Sequence, residues 1–341
     1  MDKKIKVAIN GFGRIGRAFL KISWDNPEIE IVAINDLGSL SNFVYLLRHD
    51  TVYRNWNHQI DTNGSNLIVD GKEITFLCEK DTTKLPWKDL DIDVVVESTG
   101  LFTSYDKSKF HLDCGAKKVV ITAPAKGESE EKGETILLSV NEDKFGTCDI
   151  TSNGSCTTNA ASPLIGILNE SLGIEKAVLN TVHGYTASQS IVDGPSKKDL
   201  REGRAAAANI VPSSTGAAIA VTKAFPGLTG LFDGISIRVP VPAGSIVDIT
   251  FISKKPTNKE EVNDILTKAS QDSRWSKIFT VTNEPLVSSD ILGESHACIA
   301  DLEMTRVVDG NLVKVLGWYD NEMGYTYTLV DHVIKTGKSI K

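Results

Sequence analysis

Ile5-Lys6-Val7-Ala8-Ile9-Asn10-Gly11-Phe12-Gly13-Arg14-Ile15-Gly16-Arg17 decides the fold. The first six residues read as a short buried strand, and Arg17-Ala18-Phe19-Leu20-Lys21-Ile22 continues as a helix. Between them lies G-x-G-x-x-G. In a strand–turn–helix unit the first glycine permits the tight turn, the second lets a pyrophosphate approach the backbone, and the third lets helix pack on strand. The phosphates of a dinucleotide then sit at a helix N-terminus. Glycine turns are common, so the context carries the reading. A second strand, Glu30-Ile31-Val32-Ala33-Ile34-Asn35, ends in Asp36, 20 residues after Gly16. A carboxylate there accepts from ribose hydroxyls and repels a 2′-phosphate, which selects NAD over NADP.

The sheet is expected to continue. Leu67 to Phe76 reads as a hairpin turning at Asp70-Gly71. Asp93-Val94-Val95-Val96-Glu97 and Lys118-Val119-Val120-Ile121 read as buried parallel strands. Ser98, Thr99 and Thr122 follow their ends, where ligands bind in doubly wound sheets, and are candidate cofactor contacts or helix caps. Leu137-Leu138-Ser139-Val140 and Asp149-Ile150-Thr151-Ser152 read as the last strands of this unit. The charged loop from Lys126 to Gly133 suggests no chemistry.

Cys156 stands among small hydroxyl residues, Ser152-Asn153-Gly154-Ser155-Cys156-Thr157-Thr158-Asn159, at the start of a helix expected to run to about Leu172. Free N–H groups and the helix dipole stabilise a thiolate there. The next strand, Lys176 to Val182, ends in His183. Cysteine with histidine is the usual recipe for an activated thiol with a proton acceptor. Pro212-Ser213-Ser214-Thr215-Gly216 precedes an alanine-rich helix, a start that suits a phosphate or an ordinary cap. Arg238 lies in the otherwise apolar strand Ile235 to Pro240 and needs an anionic partner, either a protein carboxylate or a substrate phosphate.

At 341 residues the chain can hold two domains. A net charge of −7 and a pI near 5.5 argue against nucleic acid or an anionic membrane as the main partner. No N-terminal apolar segment follows Met1, and the region from Ala205 to Leu228 is too interrupted by polar residues to span a membrane. The five cysteines fit no zinc spacing and no disulfide framework, which points to free thiols in a reducing cytoplasm and to no metal.

Taken in order, several of these stretches resemble phosphorylating glyceraldehyde-3-phosphate dehydrogenases over essentially the whole chain. They are Asn10 to Arg17, Ile34-Asn35-Asp36, Glu97-Ser98-Thr99-Gly100, Ser155 to Asn159, Thr181-Val182-His183, Ser214 to Ala218, Arg238-Val239-Pro240 and Trp318-Tyr319-Asp320-Asn321-Glu322. The resemblance implies an α/β chain. A Rossmann NAD-binding domain would cover residues 1–154 and be completed by a C-terminal helix, 322–341. An α+β catalytic domain with a mainly antiparallel sheet would cover 155–321. It implies a cytoplasmic homotetramer that converts D-glyceraldehyde 3-phosphate, NAD and inorganic phosphate to 1,3-bisphosphoglycerate. Cys156 would be the nucleophile and His183 the base. Ser155, Thr157, Thr186, Arg201, Thr215, Gly216 and Arg238 would hold phosphate. Gly11, Gly13, Arg14, Ile15, Gly16, Asp36, Lys80, Ser98, Thr99, Thr122, Asn321 and Tyr325 would hold NAD. Gly154 replaces an alanine common in the family and is expected to loosen its turn. The competing readings are an erythrose-4-phosphate dehydrogenase, a dinucleotide-fold binding or regulatory protein, and a redox sensor built on Cys156.

Overall fold

The computed structural model describes residues 3–125, 132–196 and 199–340. Residues 126–131 of the charged loop noted above lie outside the described residues, as do Lys197 and Lys198. The chain divides into two compact units. The first comprises Met1–Ile136, Glu142–Gly154 and Thr326–Lys341, and the second Leu137–Asn141 and Ser155–Tyr325.

The strands of the first unit are β1 (Ile5–Asn10), β2 (Ile29–Asn35), β3 (Ile60–Asn63), β4 (Asn66–Val69), β5 (Lys72–Leu77), β6 (Val94–Glu97), β7 (Lys118–Ile121), β8 (Gly133–Thr135) and β9 (Ile150–Ser152). They form one sheet in the order β3-β4-β5-β2-β1-β6-β7-β9-β8. From β5 to β8 all pairings are parallel, and the β3-β4-β5 edge is antiparallel. Strands covered on both faces need apolar runs, and Val94, Val95 and Val96 are all fully buried. Helices α1 (Arg14–Ser23), α2 (Leu40–Arg48), α3 (Tyr105–Ser108) and α4 (Phe110–Asp113) complete the unit's first stretch. The strand order reverses at β1, between β2 and β6, which is the point where open α/β sheets bind ligands.

Leu137 to Val140 is not the strand its apolar run suggests. The strand lies four residues earlier, at β8, and Leu137–Val140 forms a turn with Ser139 at φ 65°. Local bonds replace a ladder there: Leu137 N–H donates to Asn141 Oδ1 at 2.7 Å and Val140 N–H to Leu137 O at 3.2 Å. The leucines are buried either way, so hydrophobicity alone does not distinguish strand from turn.

The second unit begins with α5 (Cys156–Ser171), then β10 (Ile174–Gly184), β11 (Val211–Ser214), α6 (Ala217–Ala224), β12 (Phe232–Val239), β13 (Ser245–Ser253) and α7 (Lys259–Gln271). It continues with β14 (Phe279–Thr282), β15 (Cys298–Asp301), β16 (Arg306–Val308) and β17 (Leu312–Tyr319). Its sheet runs β11-β12-β10-β13-β17-β15-β14, with β16 on β17. Five of its pairings are antiparallel; β10–β12 and β14–β15 are parallel. Helix α7 has a signal the reading above did not use. Asn258 caps it by accepting from Glu261 N–H at 2.9 Å, Glu260 and Glu261 fill its first turn, and Val262 and Leu266 bury one face.

Helix α8 (Met323–Lys338) holds the division between the units, after Tyr325. Within the first unit its His332 bonds Thr151 Oγ1 at 2.7 Å and Asn153 Oδ1 at 3.2 Å. Among the described residues no helix is long and apolar enough to cross a membrane.

Candidate active site

Cys156 is the first residue of α5. Ser155 caps the helix by accepting from Thr158 N–H at 3.0 Å. Gly154, just before the cap, has φ +65°, a left-handed backbone that a side chain resists. Glycine here therefore relieves strain in the turn that presents the thiol. Pro163 interrupts the helical bond to Asn159 O, and the Ser162 hydroxyl donates to that carbonyl at 3.4 Å.

Sheet register brings the remaining groups together. On the parallel pair β10–β12, His183 is the partner of Arg238. On β13–β17, Ser245 is the partner of Tyr319. Cys156 Sγ lies 3.4 Å from His183 Nε2. At the other nitrogen, Nδ1, the Gly184 carbonyl lies at 2.6 Å and Arg238 Nη1 at 2.5 Å. A proton on Nδ1 donates to Gly184 O and leaves Nε2 free to accept from the thiol. A proton on Nε2 faces the sulfur and lets Nδ1 accept from Arg238. The site thus has a partner for either neutral tautomer, and the Nδ1–H form is the one whose Nε2 can take up a proton.

Burial pushes the Cys156 thiol up, and the Arg238 guanidinium and the N–H and hydroxyl groups at the start of α5 oppose it. The expected help from the N–H groups at the helix start is present, but burial outweighs it. Burial, reinforced by Arg238, lowers His183 to about 3. Both shifts favour a neutral thiol against a neutral imidazole.

Arg238 bears on the two alternatives left open by its strand. Among the described residues no carboxylate pairs with it, and its buried Nε has no hydrogen-bond partner. A buried, unpaired guanidinium N–H next to a thiol and an imidazole suits an anionic ligand. Beneath the thiol lies a residue that sequence reasoning missed. Tyr319 is buried, and its hydroxyl meets Thr157 Oγ1 at 2.8 Å and Thr181 Oγ1 at 2.7 Å. Its ring stands edge-on to His183, with centroids 6.0 Å apart. The available signal was parity along β17: Tyr319 is in step with Val313 and Val315 and out of step with Lys314, and the strand buries that face.

The other phosphate candidates are distributed around this cluster's sheet. Thr186 follows β10 and bonds Ser188 Oγ at 3.0 Å. Thr215 Oγ1 accepts from Ala217 N–H at 3.2 Å, as a cap does, and a side chain at Gly216 would meet nothing within 4 Å. Arg201 is exposed and lines a cleft of about 520 Å³ with Ser214. Thr157 engages its hydroxyl on Tyr319.

In the first unit the loop after β1 fits a dinucleotide. Gly11 has φ +95°, and a Cβ there would stand 2.5 Å from Thr99 N. A Cβ on Gly16 would stand 2.2 Å from Gly11 O, whereas one on Gly13 would meet nothing within 4 Å. The turn is therefore closed at its base and open at its tip, where the first N–H groups of α1, at Arg14, Ile15 and Gly16, lack helical acceptors. Asp36 accepts from Phe12 N–H at 2.6 Å and Gly38 N–H at 2.8 Å, which fixes its carboxylate at the end of β2. Ser98 Oγ donates to Gly11 O at 2.6 Å and Thr122 Oγ1 to Glu97 O at 3.1 Å, while Lys80 is exposed. Arg14 pairs with Asp50 at 2.8 Å. Asn321 and Tyr325 belong to the second unit. Asn321 Oδ1 accepts from Gly244 N–H and Ser245 Oγ, both at 3.0 Å, so its amide N–H group remains the donor. Among the described residues no group of three or more His, Cys, Asp or Glu side chains is placed to hold a metal.

A dinucleotide-type parallel sheet in one unit and a cysteine–histidine–arginine cluster in the other are features of a nicotinamide-linked oxidoreductase. Residues 5–105 match the NAD binding domain of glyceraldehyde 3-phosphate dehydrogenase, and residues 155–321 match that enzyme's C-terminal domain. The glyceraldehyde-3-phosphate dehydrogenase of Borreliella burgdorferi is 47% identical over 334 residues, covering 96% of this chain and 98% of the relative. That of Geobacillus stearothermophilus is 44% identical over 329 residues, 96% of each. Glyceraldehyde-3-phosphate dehydrogenase 1 of Kluyveromyces lactis is 44% identical over 330 residues, 96% of this chain and 98% of the relative. The chain belongs to the glyceraldehyde 3-phosphate dehydrogenase family.

Proposed function

We propose that this protein catalyses the NAD-dependent oxidative phosphorylation of D-glyceraldehyde 3-phosphate to 1,3-bisphosphoglycerate, with Cys156 and His183 as its reacting groups. The observation that carries the assignment is the 3.4 Å contact between Cys156 Sγ and His183 Nε2, beside an Arg238 Nε with no acceptor. Cys156 Sγ attacks the aldehyde carbon as its proton passes to His183 Nε2, which returns it to the new alkoxide and gives a hemithioacetal. His183 then takes the hemithioacetal hydroxyl proton as the carbon is oxidised to the thioester. NAD, when bound, supplies the hydride acceptor for that oxidation. A phosphate oxygen attacks the thioester carbon, the acyl phosphate leaves, and the departing sulfur regains its proton from His183. The unpaired Arg238 N–H, with Arg201, Thr186, Ser155, Thr157, Thr215 and Gly216, is the set we assign to the two phosphate groups.

Gly11, Gly13, Arg14, Ile15, Gly16, Asp36, Lys80, Ser98, Thr99, Thr122, Asn321 and Tyr325 are the residues we assign to NAD. We assign the domain carrying it to residues 1–154 together with the C-terminal segment 322–341 that contains α8, and the catalytic domain to 155–321. We further infer a cytoplasmic homotetramer. Ile191, Val192, Leu200 and Ile210 are 85%, 73%, 84% and 72% exposed within one short stretch, an apolar surface that suits contact with further copies of the chain. Sedimentation of the purified protein as a monomer rejects that inference. The enzymatic assignment is tested by following NAD reduction with glyceraldehyde 3-phosphate, with and without inorganic phosphate. Turnover should depend on phosphate and vanish in Cys156→Ser; substantial turnover of that variant rejects the nucleophile.

A further inference from the structure

Glu97 ends β6 at the point where the strand order reverses, and the mechanism above gives it no task. Register pairs Asn10 with Asn35 on one side and with Glu97 on the other. The Glu97 side chain is buried, yet four donor contacts converge on it. Two of these contacts have polarities fixed by groups that can only donate. Trp87 Nε1–H donates to His111 Nδ1 at 2.9 Å, so the imidazole proton is on Nε2, which donates to Glu97 Oε2 at 3.0 Å. On the opposite side Glu79 N–H donates to Asn35 Oδ1 at 2.9 Å. That fixes the Asn35 amide, whose Nδ2 donates to Asn10 Oδ1 at 2.8 Å, and Asn10 Nδ2 donates to Glu97 Oε2 at 2.6 Å. Thr99 N–H donates to Oε1 at 2.9 Å, and the Thr99 hydroxyl bonds the same oxygen.

Oε2 accepts from two N–H groups of fixed polarity and Oε1 from the Thr99 N–H, a donor set that suits a carboxylate. None of its partners is a cation. His111 could have been one, but burial holds its pKa below the ordinary histidine value, with Glu97 opposing, and Trp87 occupies its second nitrogen. The charge is adjacent to the dinucleotide turn, because Thr99 N, bonded to Glu97, is the atom a Cβ on Gly11 would strike. The cations nearest in sequence on α1 are engaged elsewhere: Arg14 pairs with Asp50, and Arg17 donates to Phe12 O at 2.8 Å.

We propose that Glu97 sets the redox preference of the cofactor site, its uncompensated buried charge favouring NAD over the more negatively charged NADH. The inference rests on the NAD-binding reading. NADH carries one more negative charge than its oxidised form, so a fixed carboxylate below the cradle penalises it more. A unit charge acting over about 10–20 Å at an effective dielectric near 20 changes a binding constant by about 3- to 15-fold.

The test is titration of the full-length protein, stripped of dinucleotide, with NAD and with NADH at one ionic strength, read by intrinsic tryptophan fluorescence or calorimetry. In the wild type Kd for NADH should exceed Kd for NAD by about 3-fold or more; equal affinities overturn the proposal whatever any variant does. In Glu97→Gln the ratio should fall about 3- to 15-fold. In His111→Gln, which keeps the carboxylate, Tm should fall and the ratio should hold. Equal weakening of both dinucleotides in Glu97→Gln, or a ratio that moves as far in His111→Gln, reduces Glu97 to a structural part and overturns the proposal. A wild-type protein that binds neither dinucleotide overturns the cofactor reading and the proposal with it.

Discussion

Arg238 and His183 are register partners on parallel β12 and β10, and Arg238 Nη1 stands 2.5 Å from His183 Nδ1. The guanidinium acts on both reacting groups. It lowers the Cys156 thiol, and after burial it is the next cause of the low His183 pKa. Arg238→Leu should therefore raise both. Alkylation of Cys156 by iodoacetamide at pH 7 should slow by about 10-fold, corresponding to about one pH unit of thiol pKa. Arg238→Lys should recover much of the rate, since charge is what acts on the sulfur. An unchanged rate in Arg238→Leu would show that the guanidinium does not govern the thiol.

His183→Asn removes the proton acceptor while leaving the dinucleotide loop in the other unit untouched. General-base assistance is worth about 10²–10⁴-fold. Hydride transfer measured by stopped flow should slow by that factor, and the Kd for NAD should stay within about 2-fold. An unchanged transfer rate would reject His183 as the base.

Tyr319→Phe deletes a buried hydroxyl shared by Thr157 and Thr181. It leaves two buried hydroxyls short of one partner each, at a cost of about 1–3 kcal/mol. Tm should fall, and kcat should fall less than about 10-fold, because the phenol touches the helix start and not the sulfur. A fall in kcat comparable to that of His183→Asn would place Tyr319 in the chemistry.

The sequence was most legible where local patterns and geometry agree. The Gly11–Gly16 turn, the valine run of β6 and the hairpin at Asp70-Gly71 each needed only a short window, and each is present. Leu137–Val140 misled because an apolar tetrapeptide is buried equally well as a strand or as a turn, and Asn141, which decides it, acts through a side-chain bond. The cysteine–histidine pair was readable from order along the chain. The state of its protons was not, because burial of Cys156 and the cross-strand position of Arg238 are products of tertiary packing. Tyr319 and Glu97 stood inside recognisable stretches, but their roles depend on partners 138 and 87 positions away for Thr181 and Asn10.

Asp36 already accepts from Phe12 and Gly38 N–H groups, so it is a fixed charge at the end of β2. Asp36→Asn keeps an acceptor for Phe12 and removes the charge that a 2′-phosphate would meet. Use of NADP relative to NAD, as a ratio of kcat/KM values, should rise by about 10-fold or more. A ratio that stays constant would remove Asp36 from cofactor selection.

Acid should destabilise the protein through its buried histidines before its carboxylates matter. Burial lowers His332 and His183 each to about 3 and lowers His111 as well. In the unfolded chain each titrates near about 6.5. Below that value the unfolded state binds more protons than the folded one, so stability rises with pH and is lost as pH falls. The stabilisation is fully present above about pH 6.5 and, for His332, is withdrawn down to about pH 3, at about 1.4 kcal/mol per pH unit for each such histidine. His332 is the cleanest to remove, because it is outside the reacting cluster and bonds Thr151 and Asn153 within the first unit. His332→Gln keeps a hydrogen-bonding side chain that does not titrate. The variant should have a lower Tm than the wild type at pH 7.5, and the gap should narrow as pH is lowered to 5. A gap that stays constant between pH 7.5 and 5 would mean that His332 is not neutral in the folded protein.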